Sequence, residues 1–311
     1  MHLRIGTRGS KLALWQADFV AEKLLKAKVT SEIVIIETKG DIILDKSLSK
    51  IGSKGIFTEE LEQQLRTNDI DIAVHSAKDL SSEIVEDLAI IAFMEREMAN
   101  DVLISLNPTI SLDKNPEITV GTSSTRRLAT LRHFYPHIKT VEMRGNLQTR
   151  MEKLKNNTGE SRCDAIILAY AGVNRMNYND FIVQMLDLEQ FTPAVGQGSV
   201  AIQVAKNIPL RKRNLLANTL NHQPTNICIA VERAFLRTLQ GGCSVPVFGY
   251  CEILDNQLHF TGGIISLDGQ KIIKKTQTNS FNNAQKLGID VANVLLAEGA
   301  GEILREIKMG F

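Results

Sequence analysis

The sequence is poor in cysteine and aromatic residues and has no long apolar run. Its 311 residues include four cysteines, too few for a disulfide framework and not in paired CxxC spacing. We therefore predict reduced thiols and no metal site. The apolar runs at residues 33–36 and 165–169 are far shorter than the roughly 18 to 20 residues of a membrane helix, so no membrane partner is expected.

An excess of charge is missing as well. The chain has 36 Lys and Arg residues against 35 Asp and Glu, and aromatic residues make up 5% of it. A nucleic-acid partner is therefore not expected, because it would need a basic surface or stacking platforms. Arg4 and Arg8 stand where an export signal would have a continuous apolar stretch, so we expect a cytoplasmic protein. Any anion site has to be local.

The composition that remains is that of an ordinary folded protein, with 43% hydrophobic residues and a length that predicts two or three domains. Short β-rich runs alternate with helical patterns, which predicts α/β layers. The stretch 39–55 has no period and predicts a loop. The other elements predicted for the first unit are strands at residues 3–7, 32–38 and 71–75, a helix capped by Ser10 and a helix near residues 58–66.

The same pattern restarts in the middle of the chain. The second unit has predicted strands at residues 118–121, 140–143 and 164–169 and helices at 124–133 and 147–155. Gly-Thr stands between a strand and a helix start in both units, at Gly6 and at Gly121. The third unit has a predicted helix at 225–239 and strands at 247–254, 258–266 and 270–278, whose turn residues predict a small antiparallel sheet.

Arginines concentrate near these predicted strand ends. Arg126 and Arg127 directly follow Gly-Thr-Ser-Ser-Thr, at a helix start whose free N–H groups suit carboxylates or phosphates. A small polyanionic ligand is implied. Surface ion pairs are the alternative for each arginine.

Two further segments carry possible chemistry. Lys78 and Asp79 follow a predicted buried strand at residues 70–74, where open α/β sheets bind ligands, and Asp79 could stabilise a cation; a solvent-facing turn is the alternative. Cys243 lies in a Gly-rich loop after a helix and could be an exposed nucleophile, whereas the other cysteines read as small buried residues.

Together these segments resemble one family, the porphobilinogen deaminases or hydroxymethylbilane synthases of tetrapyrrole biosynthesis. The resemblance runs in the family's order from residue 3 to about 305 and so covers essentially the whole chain. The matching segments are residues 6–10, 12–13, 16, 57, 60–62, 74–80, 120–127, 144–150, 169–175, 194–198 and 232–243.

The resemblance implies an α/β fold with two domains similar to type II periplasmic binding proteins and a small C-terminal α+β domain with a three-stranded antiparallel sheet. Domain 1 is expected at residues 1–96 and 196–214, domain 2 at 99–192 and domain 3 at 217–311. A monomer is expected.

The implied activity is that of a transferase. It deaminates four porphobilinogen units and joins them head to tail on a covalent dipyrromethane primer, then releases linear hydroxymethylbilane by hydrolysis. By position, Asp79 is the implied catalytic residue. The implied cofactor-binding residues are Cys243, which would carry the thioether, and Lys78, Asp79, Thr122, Ser123, Arg126, Arg127, Arg144 and Gly145. The implied substrate-binding residues are Arg8, Ser10, Arg144, Arg150 and Arg175.

Three residues depart from the family pattern. Glu59 stands where Lys is common, Ser81 where Pro is common and Gln203 where Glu is common. Two rival classes remain open. A periplasmic-type binding protein would share the fold but would carry an export signal and would not need Cys243. A nucleic-acid binder would use the arginines on phosphates, in a strongly salt-dependent manner.

Overall fold

A computed structural model describes residues 1–42, 58–115, 117–242 and 245–309. The strands in this part of the chain are β1 (His2–Thr7), β2 (Thr30–Ile35), β3 (Ile72–Ser76), β4 (Leu88–Phe93), β5 (Asp101–Ile104), β6 (Thr119–Gly121), β7 (Lys139–Val141), β8 (Ala165–Ala169), β9 (Ile182–Met185), β10 (Val200–Ala205), β11 (Val247–Leu254), β12 (Gln257–Ile265) and β13 (Ile272–Asn279).

Helices separate most of these strands. They are α1 (Lys11–Lys26), α2 (Lys39–Ile42), α3 (Glu59–Arg66), α4 (Thr125–Phe134), α5 (Leu147–Asn156), α6 (Tyr170–Arg175), α7 (Leu210–Leu220), α8 (Gln223–Thr238), α9 (Ala284–Leu295) and α10 (Gly301–Met309). A 3₁₀ turn at Ala77–Asp79 follows β3, and a π-helical turn at Leu296–Ala300 joins α9 to α10.

The first two sheets have the same strand order. The first is β2-β1-β3-β10-β4 and the second is β7-β6-β8-β5-β9. In each, four of the five strands run in one direction, and the fourth strand in this order runs antiparallel to both of its neighbours. The antiparallel strands mark the places where the chain changes sheets. Strand β5 of the second sheet directly follows β4 of the first, and β10 of the first sheet follows β9 of the second. The chain thus crosses between the two sheets twice.

The repeated Gly-Thr segments occupy equivalent places. Gly6 in β1 pairs with Ala73, and Gly121 in β6 pairs with Ile166. Each strand then leads to a helix whose N-cap is a serine, Ser10 for α1 and Ser124 for α4, and each serine side chain accepts a hydrogen bond from a backbone N–H in the first turn. The echo in the sequence is therefore a structural repeat.

The third sheet is antiparallel, in the order β11-β12-β13. Asp255 and Asn256 form the first hairpin turn with φ of 48° and 59°, the left-handed conformation that suits a tight turn. A Cβ at Gly263 in β12 would lie 2.3 Å from Phe248 Cε2, so only glycine leaves room for that ring. Helices α8, α9 and α10 cover one face and share a core with the sheet.

The sheets confirm the predicted fold class of two similar α/β units and a small α+β unit with a three-stranded antiparallel sheet. Helix α7 differs from the expected domain plan. Its Leu216 and Leu220 are buried in the core of the first sheet, so the predicted boundary at residues 214–217 falls inside one continuous helix. Within the predicted loop 39–55, Lys39–Ile42 is helical, and residues 43–55 lie outside the described part of the chain.

Candidate active site

A cleft of about 380 Å³ opens between the first two sheets. It lies at the carboxyl ends of the parallel strands, which is where open α/β sheets bind ligands. Nine residues predicted from the sequence for catalysis or binding line it. They are Arg8, Lys78, Asp79, Ser123, Arg127, Arg144, Gly145, Arg150 and Arg175.

The other predicted site residues lie elsewhere. Ser10 lines an adjoining cavity of about 120 Å³. Thr122 and Arg126 are each 4% exposed and do not line the cleft. The physical reason for Arg126 is its partner, a buried carboxylate behind the cleft wall. Cys243 lies outside the described residues.

Two guanidinium groups share that buried carboxylate. Asp101 Oδ2 accepts a hydrogen bond from Arg126 Nη2 and Asp101 Oδ1 accepts one from Arg127 Nη2, both at 2.7 Å. Further bonds run from Arg126 to the Thr192 carbonyl and from Arg127 to the Ile167 carbonyl. Burial by itself would raise the pKa of Asp101, but the two guanidinium groups hold that pKa well below its usual range. One negative charge thus faces two positive charges, and one positive charge is left in excess.

Lys78 joins this cluster through an amide. Its Nζ donates to Gln197 Oε1 at 3.3 Å, and Gln197 Nε2 donates to Asp101 Oδ1 at 2.9 Å and to the Ala99 carbonyl at 2.7 Å. Burial, and then the nearby positive charge of Arg127, lower the pKa of Lys78 to about 8. Gln197 therefore links the loop after β3 to the first residue of β5, across the boundary between the two sheets.

A second series of buried hydrogen bonds runs from His75 through Gln203 to Glu62. His75 and Gln203 Oε1 are joined by a hydrogen bond of 2.9 Å from Nε2, and Gln203 Nε2 donates to Glu62 Oε1 at 3.1 Å. Because the Gln203 oxygen has to accept here, His75 carries its proton on Nε2. Burial lowers the pKa of His75 to about 4, so the ring is neutral. A carboxylate in place of Gln203 could not donate to Glu62.

The other two departures from the family pattern lie away from the cleft lining. Glu59 Oε2 accepts from Lys39 Nζ at 2.9 Å on an exposed surface. The Ser81 carbonyl accepts from Arg233 Nη2 at 2.8 Å. Burial lowers the pKa of Arg233 to about 10.

Arginines from the second sheet's loops line the opposite wall. Arg150 Nε donates to the Gly145 carbonyl at 2.9 Å, and burial, with Arg127 and Arg144 nearby, lowers the pKa of Arg150 to about 10. Gly145 has φ of 109°, and a Cβ there would lie 2.6 Å from Thr149 Cγ2, so the loop requires glycine. The chain therefore turns sharply between two arginines that face one ligand space.

Positive charge dominates the cleft. Among the described residues that line it, six carry a cationic side chain and Asp79 is the one carboxylate. Asp79 ends the 3₁₀ turn that follows β3, and its charge lies close enough to Lys78 and Arg150 to act on both pKa values. The cleft is therefore built for a ligand with several negative charges and one place where positive charge is stabilised.

Sequence reasoning missed several residues of this arrangement. Asp101 was not singled out, although an Asp that opens an apolar run is a signal for a buried partner of Arg126 and Arg127. Gln197 was predicted only as part of the segment 194–198 that matches the family. Gln16, which exchanges hydrogen bonds with Ser76 at the cleft, was matched to the family without a role.

The described residues provide neither a metal-binding cluster nor a helix that could span a membrane. No three His, Cys, Asp or Glu side chains in residues 1–42, 58–115, 117–242 and 245–309 are grouped to hold a metal ion. No helix in the same ranges combines the length and apolar character needed to cross a bilayer.

Comparison with solved structures finds periplasmic binding proteins. One is a Salmonella typhimurium periplasmic binding protein described as highly specific for arginine. It aligns with 70% of this chain and 91% of its own, at 12% identity and a TM-score of 0.38.

Comparison of sequences gives far stronger matches. The model "Porphobilinogen deaminase, dipyromethane cofactor binding domain" matches residues 3–210, and "Porphobilinogen deaminase, C-terminal domain" matches residues 226–297. The porphobilinogen deaminase of Cytophaga hutchinsonii is 53% identical over 308 residues, 99% of this chain and 97% of that protein. That of Desulfosudis oleivorans is 43% identical over 309 residues, 99% and 98% respectively. The chain belongs to the porphobilinogen deaminase family.

Proposed function

We propose that the cleft between the first two sheets is where this chain works as a hydroxymethylbilane synthase, a transferase of tetrapyrrole biosynthesis. The enzyme deaminates four porphobilinogen units, joins them head to tail and releases the linear product by hydrolysis. One observation supports this location above the others. A single carboxylate, Asp79, stands among six cationic side chains in the described cleft lining.

The cationic side chains suit the substrate. Each porphobilinogen carries an acetate and a propionate group, so a growing chain brings two carboxylates per ring. Charge-assisted hydrogen bonds of about 1.5 to 3 kcal/mol each would hold such a chain in register. We assign substrate binding to Arg8, Ser10, Arg144, Arg150 and Arg175, of which Ser10 reaches the ligand space from the adjoining cavity.

The residues behind the cleft fit an anionic cofactor. Ser123 Oγ, Arg126 Nε and Arg127 Nε are buried and lack a hydrogen-bond partner in the described structure. The pair of guanidinium groups exceeds the single charge of Asp101. Donors with an excess of positive charge are what the acetate and propionate groups of a dipyrromethane require. The donor set therefore supports a dipyrromethane held at this wall.

We assign that cofactor to Lys78, Asp79, Ser123, Arg127, Arg144 and Gly145 at the cleft, with Thr122 and Arg126 supporting them from behind. Its covalent anchor is Cys243 through a thioether, an assignment that rests on the family resemblance. When bound, the dipyrromethane supplies the pyrrole carbon to which the first substrate unit is joined. In the sequence Cys243 directly follows Gly241 and Gly242, and glycines allow a ligand to approach the backbone closely.

Asp79 is the catalytic group. When the aminomethyl C–N bond of porphobilinogen breaks, its electron pair leaves with the nitrogen as ammonia and the ring keeps a positive charge. The Asp79 carboxylate stabilises that charge at the pyrrole N–H and moves a proton as the new carbon–carbon bond forms.

The wider setting follows from the same family. We propose a cytoplasmic monomer that binds neither nucleic acid nor membrane, and domains at residues 1–96 with 196–221, 99–192 and 222–311. The revised boundary keeps α7 whole with the first sheet. The buried free thiols Cys163, Cys228 and Cys251 support a reducing compartment.

The test separates cofactor assembly from chain elongation. In Arg126→Leu and Arg127→Leu we expect no covalent cofactor, measured as protein mass under denaturing conditions. In Arg8→Leu, Arg150→Leu and Arg175→Leu we expect cofactor but stalled elongation, seen as mass increments of whole pyrrole units after a pulse of porphobilinogen. Lys23→Leu, on an exposed face of α1, is the control and should behave as wild type.

Two results would overturn the proposal. If all five arginine variants behave alike and thermal denaturation shows each one simply destabilised, the arginines are structural. If the wild-type protein binds porphobilinogen but releases no ammonia, the cleft is a binding site and not a catalytic one.

A further inference from the structure

Arg175 is held by groups outside its own sheet. It ends helix α6, which follows the second sheet's β8, and its side chain lines the cleft. Its Nη2 donates to the Gly198 carbonyl at 2.7 Å, in the segment through which the chain returns to the first sheet. Its guanidinium carbon also lies 5.3 Å from the centroid of the Trp15 ring. A cation within about 6 Å of an aromatic centroid is attracted to the ring face.

Trp15 is well placed to fix that guanidinium. It lies in α1, on the first sheet's side of the cleft. Its ring also stacks on Phe19, with ring centroids 5.3 Å apart and an angle of 16° between the planes. Trp15 does not line the cleft. It therefore acts on a ligand only through Arg175.

The neighbouring residue fixes the same helix end to the other crossing. Asn174 Nδ2 donates to Glu97 Oε2 at 3.0 Å, in the segment that leads into β5. The end of α6 is thus tied to both crossings between the sheets, through Asn174 to Glu97 and through Arg175 to Gly198. The contact between Arg175 and Trp15 is a third link, and it joins the end of α6 to α1, a helix packed on the first sheet.

We propose that Trp15 is a positioning residue, whose ring holds the Arg175 guanidinium at the cleft so that its remaining N–H groups are ready for a substrate carboxylate. The proposal rests on the substrate role assigned to Arg175 above. Holding the fork in place before binding lowers the entropy cost of forming the contact. Loss of the ring therefore weakens substrate binding and leaves the chemical step unchanged.

Kinetics of ring variants test this role. In Trp15→Leu we expect KM for porphobilinogen to rise about tenfold with kcat little changed, the size of a partly buried cation–π contact. Trp15→Phe keeps an aromatic face and should recover most of the loss. Phe19→Leu is the matched control, because it removes the ring stacked on Trp15 and keeps the Trp15 ring beside Arg175, and its KM should equal that of wild type.

Tryptophan fluorescence tests the same role in the wild-type protein, without a substitution at Trp15. The chain has one tryptophan, so all tryptophan emission of the wild-type enzyme comes from Trp15. Porphobilinogen should change this emission in the wild type, because its carboxylate binds the Arg175 guanidinium that contacts the Trp15 ring. It should leave the emission unchanged in Arg175→Leu.

The outcomes separate the two proposals. If Arg175→Leu stalls elongation while Trp15→Leu keeps the wild-type KM, or if wild-type emission does not respond to porphobilinogen, the positioning role of Trp15 is wrong and the role of Arg175 stands. If Arg175→Leu elongates as wild type does, the substrate role of Arg175 fails and the Trp15 proposal falls with it.

Discussion

The first two sheets share a strand order but distribute charge differently. Val200 opens the antiparallel strand of the first sheet and pairs with Ser76, while Asp101 opens that of the second and pairs with Ala169. Since Ser76 and Ala169 end equivalent strands, Asp101 stands where the first sheet has an apolar residue. The second sheet thus buries a carboxylate at a position that is apolar in the first.

The opposite holds three residues beyond those strand ends. The first sheet has Asp79 there, and the second has Gly172. The carboxylate of the second sheet is used internally, to hold Arg126 and Arg127, whereas that of the first faces the ligand space. A duplicated topology therefore provides two walls of one cleft, and we expect the reaction to depend on the charges that differ between them.

Removing the carboxylate that faces the cleft should have the largest effect. Asp79→Ala should reduce kcat by about 100-fold or more, because a group that stabilises developing charge is lost. Asp79→Glu keeps the charge about one methylene away and should retain more activity than Ala. The measurement is the rate of hydroxymethylbilane formation, with the exposed Asp18→Ala as control. Equal rates for Asp79→Ala and wild type would rule out the catalytic role.

Removing the internal carboxylate should act on stability instead. Asp101→Asn leaves two buried guanidinium groups without their shared counter-charge, and should lower the free energy of unfolding by about 3 to 5 kcal/mol. The control is Asp87→Asn, which breaks the partly exposed pair with Arg66 and should lower the free energy of unfolding far less. Urea unfolding measures both. Similar losses in the two variants would contradict the difference drawn between buried and surface charge.

His75 should make the stability of the first sheet depend on pH. The equivalent residue of the second sheet is Leu168, which does not titrate. The folded pKa of His75 is about 4 against 6.5 for an ordinary histidine, so the unfolded chain binds more protons between these values. This residue therefore removes stability as pH falls from 6.5 to 4, by up to about 3 kcal/mol. In His75→Leu that part of the pH dependence should disappear.

Urea unfolding at several pH values checks this difference. The stability lost in His75→Leu should be larger at pH 7 than at pH 4. A loss of the same size at both pH values would mean that His75 is not held neutral in the folded protein.

Substitution of the two serine caps should have the smallest effect on stability, and the two losses should be nearly equal. Ser10 and Ser124 cap equivalent helices, with bonds of 3.3 and 3.4 Å from the first-turn N–H groups. Ser10→Ala and Ser124→Ala should each lower stability by about 1 kcal/mol, measured by thermal unfolding. A cost found in only one of them would show that the repeat does not extend to the energetics of these loops.

Local signals in the sequence predicted much of this fold. The strand Val247–Leu254 and its Asp255-Asn256 turn were predicted with the right bounds, because alternation and turn chemistry act within a few residues. The Gly-Thr echo located both helix starts at the cleft.

Pairing across the chain was beyond those signals. The strand Asp101–Ile104 has four residues with no alternation, and it is a strand because it pairs with Ala165–Ala169 and Ile182–Met185. Its Asp101 meets Arg126 and Arg127 only once the second sheet has formed. The site residues predicted from the sequence came from local motifs and from the family resemblance, whereas the buried Asp101 that holds Arg126 and Arg127 was not predicted.

The central claim is that this cleft builds a pyrrole chain on a cofactor attached to Cys243. The most direct measurement is the intact mass of the purified protein under denaturing conditions, before and after a pulse of porphobilinogen. Wild type should exceed the bare chain by one dipyrromethane and should then gain whole pyrrole units, while Cys243→Ala should have the mass of the bare chain throughout. A fully active wild-type preparation with the bare-chain mass would contradict the account.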